Sequence, residues 1–413
     1  MSLEIVTPTS HDEWSPFVKL IAASFTEQDP ERTEEQLVRG LKLLPLDLRI
    51  GVTEGGEPLG GCMSYEFQLG MPGGSQVPIS GLSAVGIDPT KTGRGGLRTM
   101  MTEHLHRTRS RGHAASTLLA SESSIYGRFG YGPATMLATY EIASDRAKFA
   151  APLNDPGSLE IVTDVLEALE QFDEVYSEVA RVMPGVTSRP REWWEVVLAA
   201  KESWLGGGEQ LGVLHRDESG QLDGYMLYKA KRGGGFLATD QLQIVELHGA
   251  NVMAELSLFE FASGVPLTRS VRWTQAPADT PVRMRLHDPR QLRMVDTHDL
   301  LWLRPIDVKR LLEARSYRHD GAITFEFADD LFDDQRGPWS LSVIDGAATV
   351  DRLDSSASVD LVLTPRQLGT VLLGDTRVAE LETAGLLQGD RSALRMLDLL
   401  MLTDRRPFTL SKF

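Results

Sequence analysis

The chain has 413 residues, enough for two to four domains, with apolar and charged fractions usual for a globular protein. Its 58 acidic residues against 42 basic ones give a formal charge of −16. That argues against broad nucleic-acid binding, which depends on neutralising phosphates; the same charge can attract cationic substrates or simply promote solubility. The single cysteine, Cys62, excludes an internal disulfide and reads as a small apolar core residue. No apolar run reaches the length of a membrane span and no basic-then-apolar leader is read at the start, so no membrane association and a cytoplasmic location are expected.

In chain order, Leu3 to Val6 reads as a strand, and Glu13 to Phe25 as a helix with Trp14, Phe17, Val18, Ile21 and Phe25 on one side. A second helix is expected over Glu34 to Leu44. The loop between them, Thr26 to Thr33, carries Glu27, Asp29 and Glu31, which read either as an acidic rim for an amine or as a solvated loop. Strands follow at Leu48 to Thr53, Pro58 to Leu69 and Gln76 to Ile87, separated by Gly-Gly turns.

Ser83 to Pro133 carries the densest signal. Asp88-Pro89 ends a strand, and Thr92-Gly93-Arg94-Gly95-Gly96 leads into a helix bearing Leu97, Met100, Met101 and Leu105. First-turn amides have no internal partner, so a phosphate can settle there, with Gly95 and Gly96 allowing close approach and Arg94 and Arg98 adding charge. From the glycines alone, an ordinary strand-to-helix turn with solvated basic residues is the favoured reading, since short motifs match often by chance. Ala114 to Ala120 forms a further strand, after which Ser121-Glu122 opens a short helix with Ser121 as cap and Tyr126 one turn in. Two neighbouring strands, each followed by a helix start, create a crevice at their carboxyl ends. Tyr126 would face it, or be a buried aromatic between Ile125 and Phe129. His104 and His106 lie two apart on the helix and point different ways, so no metal site is expected.

This order of strand, Asp-Pro, basic glycine-rich turn, helix, strand and tyrosine resembles the GCN5-related N-acetyltransferases (GNATs). The run Ser121-Glu122-Ser123-Ser124-Ile125-Tyr126-Gly127-Arg128-Phe129-Gly130-Tyr131-Gly132-Pro133 is similar to that of their enhanced intracellular survival (Eis) branch. The likeness covers essentially the whole chain, with its strong motifs in the first third. One departure stands out: the family's pyrophosphate signature opens on Arg or Gln, where this chain has Thr92, and closes on Gly or Ala, where it has Leu97. Cofactor binding is therefore expected to rest on backbone amides around Arg94 to Leu97.

The remainder follows the same scheme. Met136 to Ile142 is read as the strand closing the first domain, and Ala150 to Gly157 as a linker. A strand at Leu159 to Val162, helices near Leu166 to Arg181 and Pro190 to Lys201, with Trp193 and Trp194 as core residues, come next. Strands at Gln210 to His215, Gly224 to Lys231 and Phe236 to His248 precede a helix over Asn251 to Phe261, which has no glycine-and-arginine turn before it. Beyond Gln291, a helix over Asp307 to Ala314, strands at Ala322 to Ala328, Gly337 to Asp345, Ala347 to Arg352 and Ser358 to Leu363, and helices over Pro365 to Leu373 and Arg391 to Leu402 read as an α+β unit. Leu394, Leu397, Leu400 and Met401 are read as core. The expected fold class is α/β and α+β: tandem GNAT-like domains over 1–149 and 150–290, the second degenerate and without a cofactor site, then an α+β domain over 291–413, which the resemblance implies is sterol-carrier-like.

The resemblance implies an acetyl-CoA-dependent N-acetyltransferase of polycationic small molecules such as aminoglycosides. It implies Tyr126 as general acid and the α-carboxylate of Phe413, folded back into the first domain, as general base. Pro407, Phe408 and Leu410 would anchor that tail. Val85, Gly86 and Ile87 would lie beside the pantetheine, and Gly93, Arg94, Gly95, Gly96, Leu97, Arg98 and Ser121 would complete the acetyl-CoA site. The expected partner is a cationic multi-amine small molecule, in a homo-oligomer, a hexamer by resemblance. A lipid- or ligand-binding protein with a vestigial transferase fold, or a protein-lysine acetyltransferase, are the alternatives.

Overall fold

The computed structural model describes residues 2–25, 45–198, 202–203, 206–207, 210–232 and 239–413. The expected acidic loop at 26–33 and helix at 34–44 lie outside the described residues. Among the described residues the main strands form two seven-stranded sheets and one four-stranded sheet.

The first sheet runs in the order Leu3–Val6, Arg49–Glu54, Glu57–Gly70, Gln76–Ile87, Ala115–Leu119, Leu301–Pro305, Gly132–Pro133. The helix His11–Ser24 lies across it, started by Ser10, whose hydroxyl accepts from Glu13 N at 3.2 Å, and buries Trp14, Phe17, Val18 and Ile21 at helical spacing. On the opposite side the helix Gly96–Ser110 presents Met100, Met101, His104 and Leu105 to the sheet.

The second sheet runs Arg293–Asp299, Met136–Ala143, Thr268–Ala276, Thr239–Gly249, Leu222–Arg232, Gln210–Arg216, Ser158–Val162. Met136–Ala143, expected to close the first sheet, therefore lies inside the second, paired to both Thr268–Ala276 and Arg293–Asp299. Its place in the first sheet is taken by Leu301–Pro305, from beyond the expected boundary at 290, which inserts between Ala115–Leu119 and Gly132–Pro133. One strand from before 149 thus joins the second sheet and one from beyond 290 joins the first, so cuts at 149 and 290 do not follow sheet membership. Alternating apolar residues mark a half-buried strand but carry no information about which of two sheets receives it. Strand Thr268–Ala276 and helix Val378–Thr383 were not read from the sequence at all.

The third unit is a sheet of Ala347–Arg352, Gly337–Ile344, Gly321–Phe327 and Leu361–Leu363, covered by helices Val308–Ala314, Pro365–Val371, Val378–Thr383 and Arg391–Leu400. Leu394, Leu397, Leu400 and Met401 are buried, as their spacing indicated. Its core is continuous with the first sheet: Leu368, Val371, Phe325 and Leu397 share one apolar cluster with Ile79, Ala115, Leu301 and Leu303. A β-carbon at Gly132 would stand 2.2 Å from Arg366 O, and one at Gly369 would stand 2.1 Å from Leu303 O, so these glycines let helix Pro365–Val371 lie directly on the first sheet. No helix among the described residues is long and apolar enough to cross a membrane.

Candidate active site

The centre is a split between two parallel strands. Gln76–Ile87 pairs with Ala115–Leu119 only from Ile79 opposite Ala115 to Leu82 opposite Leu118. Beyond that point Gln76–Ile87 stays with its other neighbour, Glu57–Gly70, and carries an extra residue: Gly86 faces Gly61, whereas Ser83 faces Met63. Ala84 sits in the bulge with a φ of 52°, a left-handed value that costs a non-glycine residue about 1 kcal/mol or more and is found mainly where function requires it. Past Leu82, then, Ser83–Ile87 has no strand on its open side among the described residues, and its peptide groups there are available to an extended ligand. Val85 and Ile87 are half-buried beside it; Gly86 is buried, and a β-carbon on it would meet Ser24 Oγ at 2.5 Å and Ile21 Cα at 2.8 Å.

The strand then feeds a helix start. Asp88 turns the chain by accepting from Thr90 N at 2.9 Å, Gly93 takes a φ of 78° and Gly95 a φ of 90°, and no side chain caps Gly96–Ser110. Thr99 N is the first amide bonded back into the helix, to Gly95 O at 3.0 Å. The amides of Gly96, Leu97 and Arg98 and the helix dipole therefore face outward, a setting suited to a pyrophosphate. Gly96 is buried on Leu59, where a β-carbon would come within 2.6 Å, and Leu97 is half-buried in the same cluster. Arg94 is directed elsewhere than expected: it pairs with Glu54 at 2.8 Å, which neutralises much of its charge. Arg98 is exposed and makes no ion pair among the described residues. The residues fit the diphosphate of a CoA thioester through backbone donors, with Arg98 rather than Arg94 as the unneutralised cation.

Tyr126 ends the short helix Ser123–Tyr126, shares an apolar cluster with Leu82, Leu118, Met100 and Cys62, and meets the ring of Tyr131 edge-on at 6.2 Å. Burial pushes its phenol up to about 12, so it keeps its proton near neutrality. Its hydroxyl makes no hydrogen bond among the described residues. Ser121 does not cap this helix; Glu122, extended at φ −130°, precedes its first residue, and Ser121 is an exposed bend. Cys62 is fully buried and its thiol is pushed up to about 12, which makes it inert. Beneath the split, a buried polar chain joins Ser64 to His104 Nδ1 at 3.0 Å, His104 Nε2 to Ser116 at 2.7 Å, and Ser116 to Tyr131 OH at 2.7 Å. Burial lowers His104 to about 3; it is a neutral tie between helix and sheet, not a base for the split.

The tail folds back onto the first sheet. Phe413 lays its ring 5.0 Å from Phe67 and 6.4 Å from Tyr65, and a β-carbon at Gly81 would come within 2.9 Å of it. Gly81 is one residue before the last pair at Leu82, so Phe413 stands at the throat of the split. Leu82 packs on the Tyr126 side and Gly81 faces Phe413, because successive strand residues point to opposite faces; phenol and tail reach the throat from its two sides. Upstream, Phe408, Thr409, Leu410 and Ser411 are buried, and Phe408 N donates to Pro184 O at 2.8 Å. Trp193, read as plain core, lies edge-on to Tyr65 at 4.9 Å in the wall around the Phe413 ring, with Phe67. Tyr65 and Phe67 had no distinguishing signal, since aromatics in a strand are ordinarily core.

Comparison with known families agrees with this architecture. The pattern of an acetyltransferase (GNAT) domain matches residues 6–134 and again 185–305, and that of a sterol carrier protein domain matches 308–410. The N-acetyltransferase Eis of Mycobacterium bovis is 32% identical over 98% of both chains. The chain belongs to the Eis family of GNAT acetyltransferases. An uncharacterized N-acetyltransferase of Streptomyces griseus is 30% identical over 99% of both chains, and the crystal structure of Eis1 from Mycobacterium abscessus superposes over all of both chains with a TM-score of 0.85 at 28% identity. Like the rest of its family, this Eis-type chain is an acetyltransferase, and the GNAT fold implies acetyl-CoA as acetyl donor. Among the described residues no cluster of His, Cys, Asp or Glu could hold a metal.

Proposed function

We propose that the chain transfers acetyl from acetyl-CoA to an amine of a cationic multi-amine small molecule, of the aminoglycoside type, at the split between Gln76–Ile87 and Ala115–Leu119. The observation that carries the reading is the convergence at one throat of an uncapped helix start, a bulged strand with open peptide groups, a protonated phenol and the docked Phe413. Acetyl-CoA supplies the activated acetyl group as a thioester. The amides of Gly96, Leu97 and Arg98 hold its diphosphate, and Val85 to Ile87 align its arm and polarise the carbonyl.

The Phe413 carboxylate attracts the ammonium form of the acceptor and takes its proton, leaving the nitrogen lone pair to form the new C–N bond. Tyr126 gives its proton to sulfur as the C–S bond breaks. Its raised pKa keeps the phenol loaded, so that it can donate to the negative charge that builds on sulfur as the C–S bond breaks. Holding both reactants in one crevice supplies much of the acceleration. The net charge of −16 supports a cationic acceptor. A homo-oligomer, a hexamer in the Eis pattern, agrees with the apolar residues left on the second sheet's edge strands: Ile161 is 57% exposed, and Met294 and Val295 about 40%.

Following free thiol while mixing the protein and acetyl-CoA with aminoglycosides, polyamines and a lysine peptide tests the reading. Release with the polycationic small molecules is expected. No release with any amine would overturn it, and release with the peptide alone would assign a protein-lysine acceptor.

A further inference from the structure

The second unit contains a split of its own. Thr239–Gly249 pairs in parallel with Thr268–Ala276 only as far as Ile244 opposite Trp273, and Val245 is an extra residue between Ile244, opposite Tyr228, and Glu246, opposite Leu227. A helix, Val252–Gly264, follows this strand as Gly96–Ser110 follows its own. Two things differ. The helix start is closed by Asn251, whose side chain accepts from Ala254 N at 3.0 Å. And the tail of the chain occupies the opening: Arg405 reaches Glu255 in the first turns of that helix at 3.3 Å, Arg406 N donates to Asp279 beyond the partner strand at 2.9 Å, and the ring of Phe408 stands 5.9 Å from His248 on the diverging strand.

At the far end of this dock lies a buried set of hydrogen-bonded partners. Arg189, wholly buried, donates Nη1 and Nη2 to the two oxygens of Glu246, both at 3.0 Å, and lies 4.3 Å from the rings of both Tyr176 and Trp194. Tyr225 OH donates to Glu246 at 2.8 Å. The Tyr176 hydroxyl donates to Thr187 O at 2.8 Å, so at 3.1 Å it can only accept from Ser411, leaving Ser411 Oγ to accept from Arg189 Nε at 3.4 Å. Each hydroxyl of this set has one assignment, and the guanidinium cannot turn without losing a carboxylate bond or a ring. Only one residue, Lys412, lies between Ser411 and Phe413, a span of about 7 Å in extended chain.

We propose that the second split is a dock for residues 405–411 and that Arg189 and Glu246 are positioning residues, setting through Ser411 where Phe413 stands against the first sheet. This rests on the proposed role of Phe413 and adds what the second unit contributes to it. A docked tail with one fixed hydroxyl two residues before its end places the carboxylate closely; a tail held by the Phe413 ring alone lets it swing, and displacements near 1 Å can cost about 100-fold in rate.

The test compares the full-length protein with Ser411→Ala, which leaves the Arg189–Glu246 pair intact, and with Arg189→Lys, each with and without Phe413. Amide hydrogen exchange over 408–413 reads the dock; kcat and the KM values for amine and acetyl-CoA read its consequence. Ser411→Ala is expected to speed exchange of the last amides and lower kcat about tenfold with KM for acetyl-CoA unchanged, Arg189→Lys to do more, and neither to lower kcat further once Phe413 is removed. Unchanged exchange in both variants, or an equal loss of kcat with and without Phe413, overturns the proposal. A wild-type protein that acetylates no amine removes the proposed function instead, and the exchange measurement then decides the dock by itself.

Discussion

Replacing Tyr126 by phenylalanine separates chemistry from packing, because the hydroxyl bonds to nothing among the described residues while the ring is 6% exposed and packs on Leu82, Leu118 and Tyr131. Tyr126→Phe keeps the ring and breaks no protein hydrogen bond, so the thermal midpoint should stay within the range of a neutral substitution, about 0.5 kcal/mol. Losing a general acid costs about 100- to 10,000-fold. We expect kcat to fall by at least about 100-fold, with acetyl-CoA affinity measured by calorimetry changed by less than about threefold. Tyr126→Ala confounds the two, since deleting a buried aromatic ring also costs about 3–5 kcal/mol of stability. The assay is initial-rate thiol release at saturating acetyl-CoA, paired with thermal unfolding. A Tyr126→Phe protein turning over within about threefold of wild type would refute the acid role and return the residue to the core.

Other outcomes follow from the same geometry. Gly81→Ala puts a β-carbon 2.8 Å from Phe67 and 2.9 Å from Phe413, so it should displace the terminal ring and lower kcat while acetyl-CoA still binds; unaltered kcat in a folded protein would contradict the Phe413 placement. Arg98→Ala should raise KM for acetyl-CoA by about 2- to 5-fold, the range of a single charge at a helix end, and Arg94→Ala by less, because Glu54 already neutralises it. The reverse order would show that Arg94 leaves Glu54 for the cofactor. His215 is buried, which lowers its pKa, but Asp223 and Asp155 on its two nitrogens raise it by more. Its stabilising contribution is therefore full below its unfolded value near 6.5 and lost as pH rises through the higher folded value. The gap in urea midpoint between wild type and His215→Asn should narrow from pH 6 to pH 9; a constant gap would exclude charging of His215 as its source.

Local chemistry settled much of this protein in advance. The strand, Asp-Pro turn, glycines, helix and tyrosine of residues 83–133 are read from neighbours in sequence, because turn chemistry, positive φ and amphipathic spacing act over a few residues, and the structure forms each of these elements in place, though without the cap expected from Ser121. Which sheet receives Met136–Ala143, that Leu301–Pro305 returns to the first sheet, and that Arg94 turns to Glu54 required the assembled chain. The same holds for Arg189, Glu246 and Ser411, 57 to 222 residues apart in bonded pairs: a buried arginine and glutamate carry no local mark of their pairing. Secondary structure and the cofactor turn are set by short-range forces that the order of residues displays, whereas sheet membership and the docking of the tail depend on contacts that exist only once distant segments share a core.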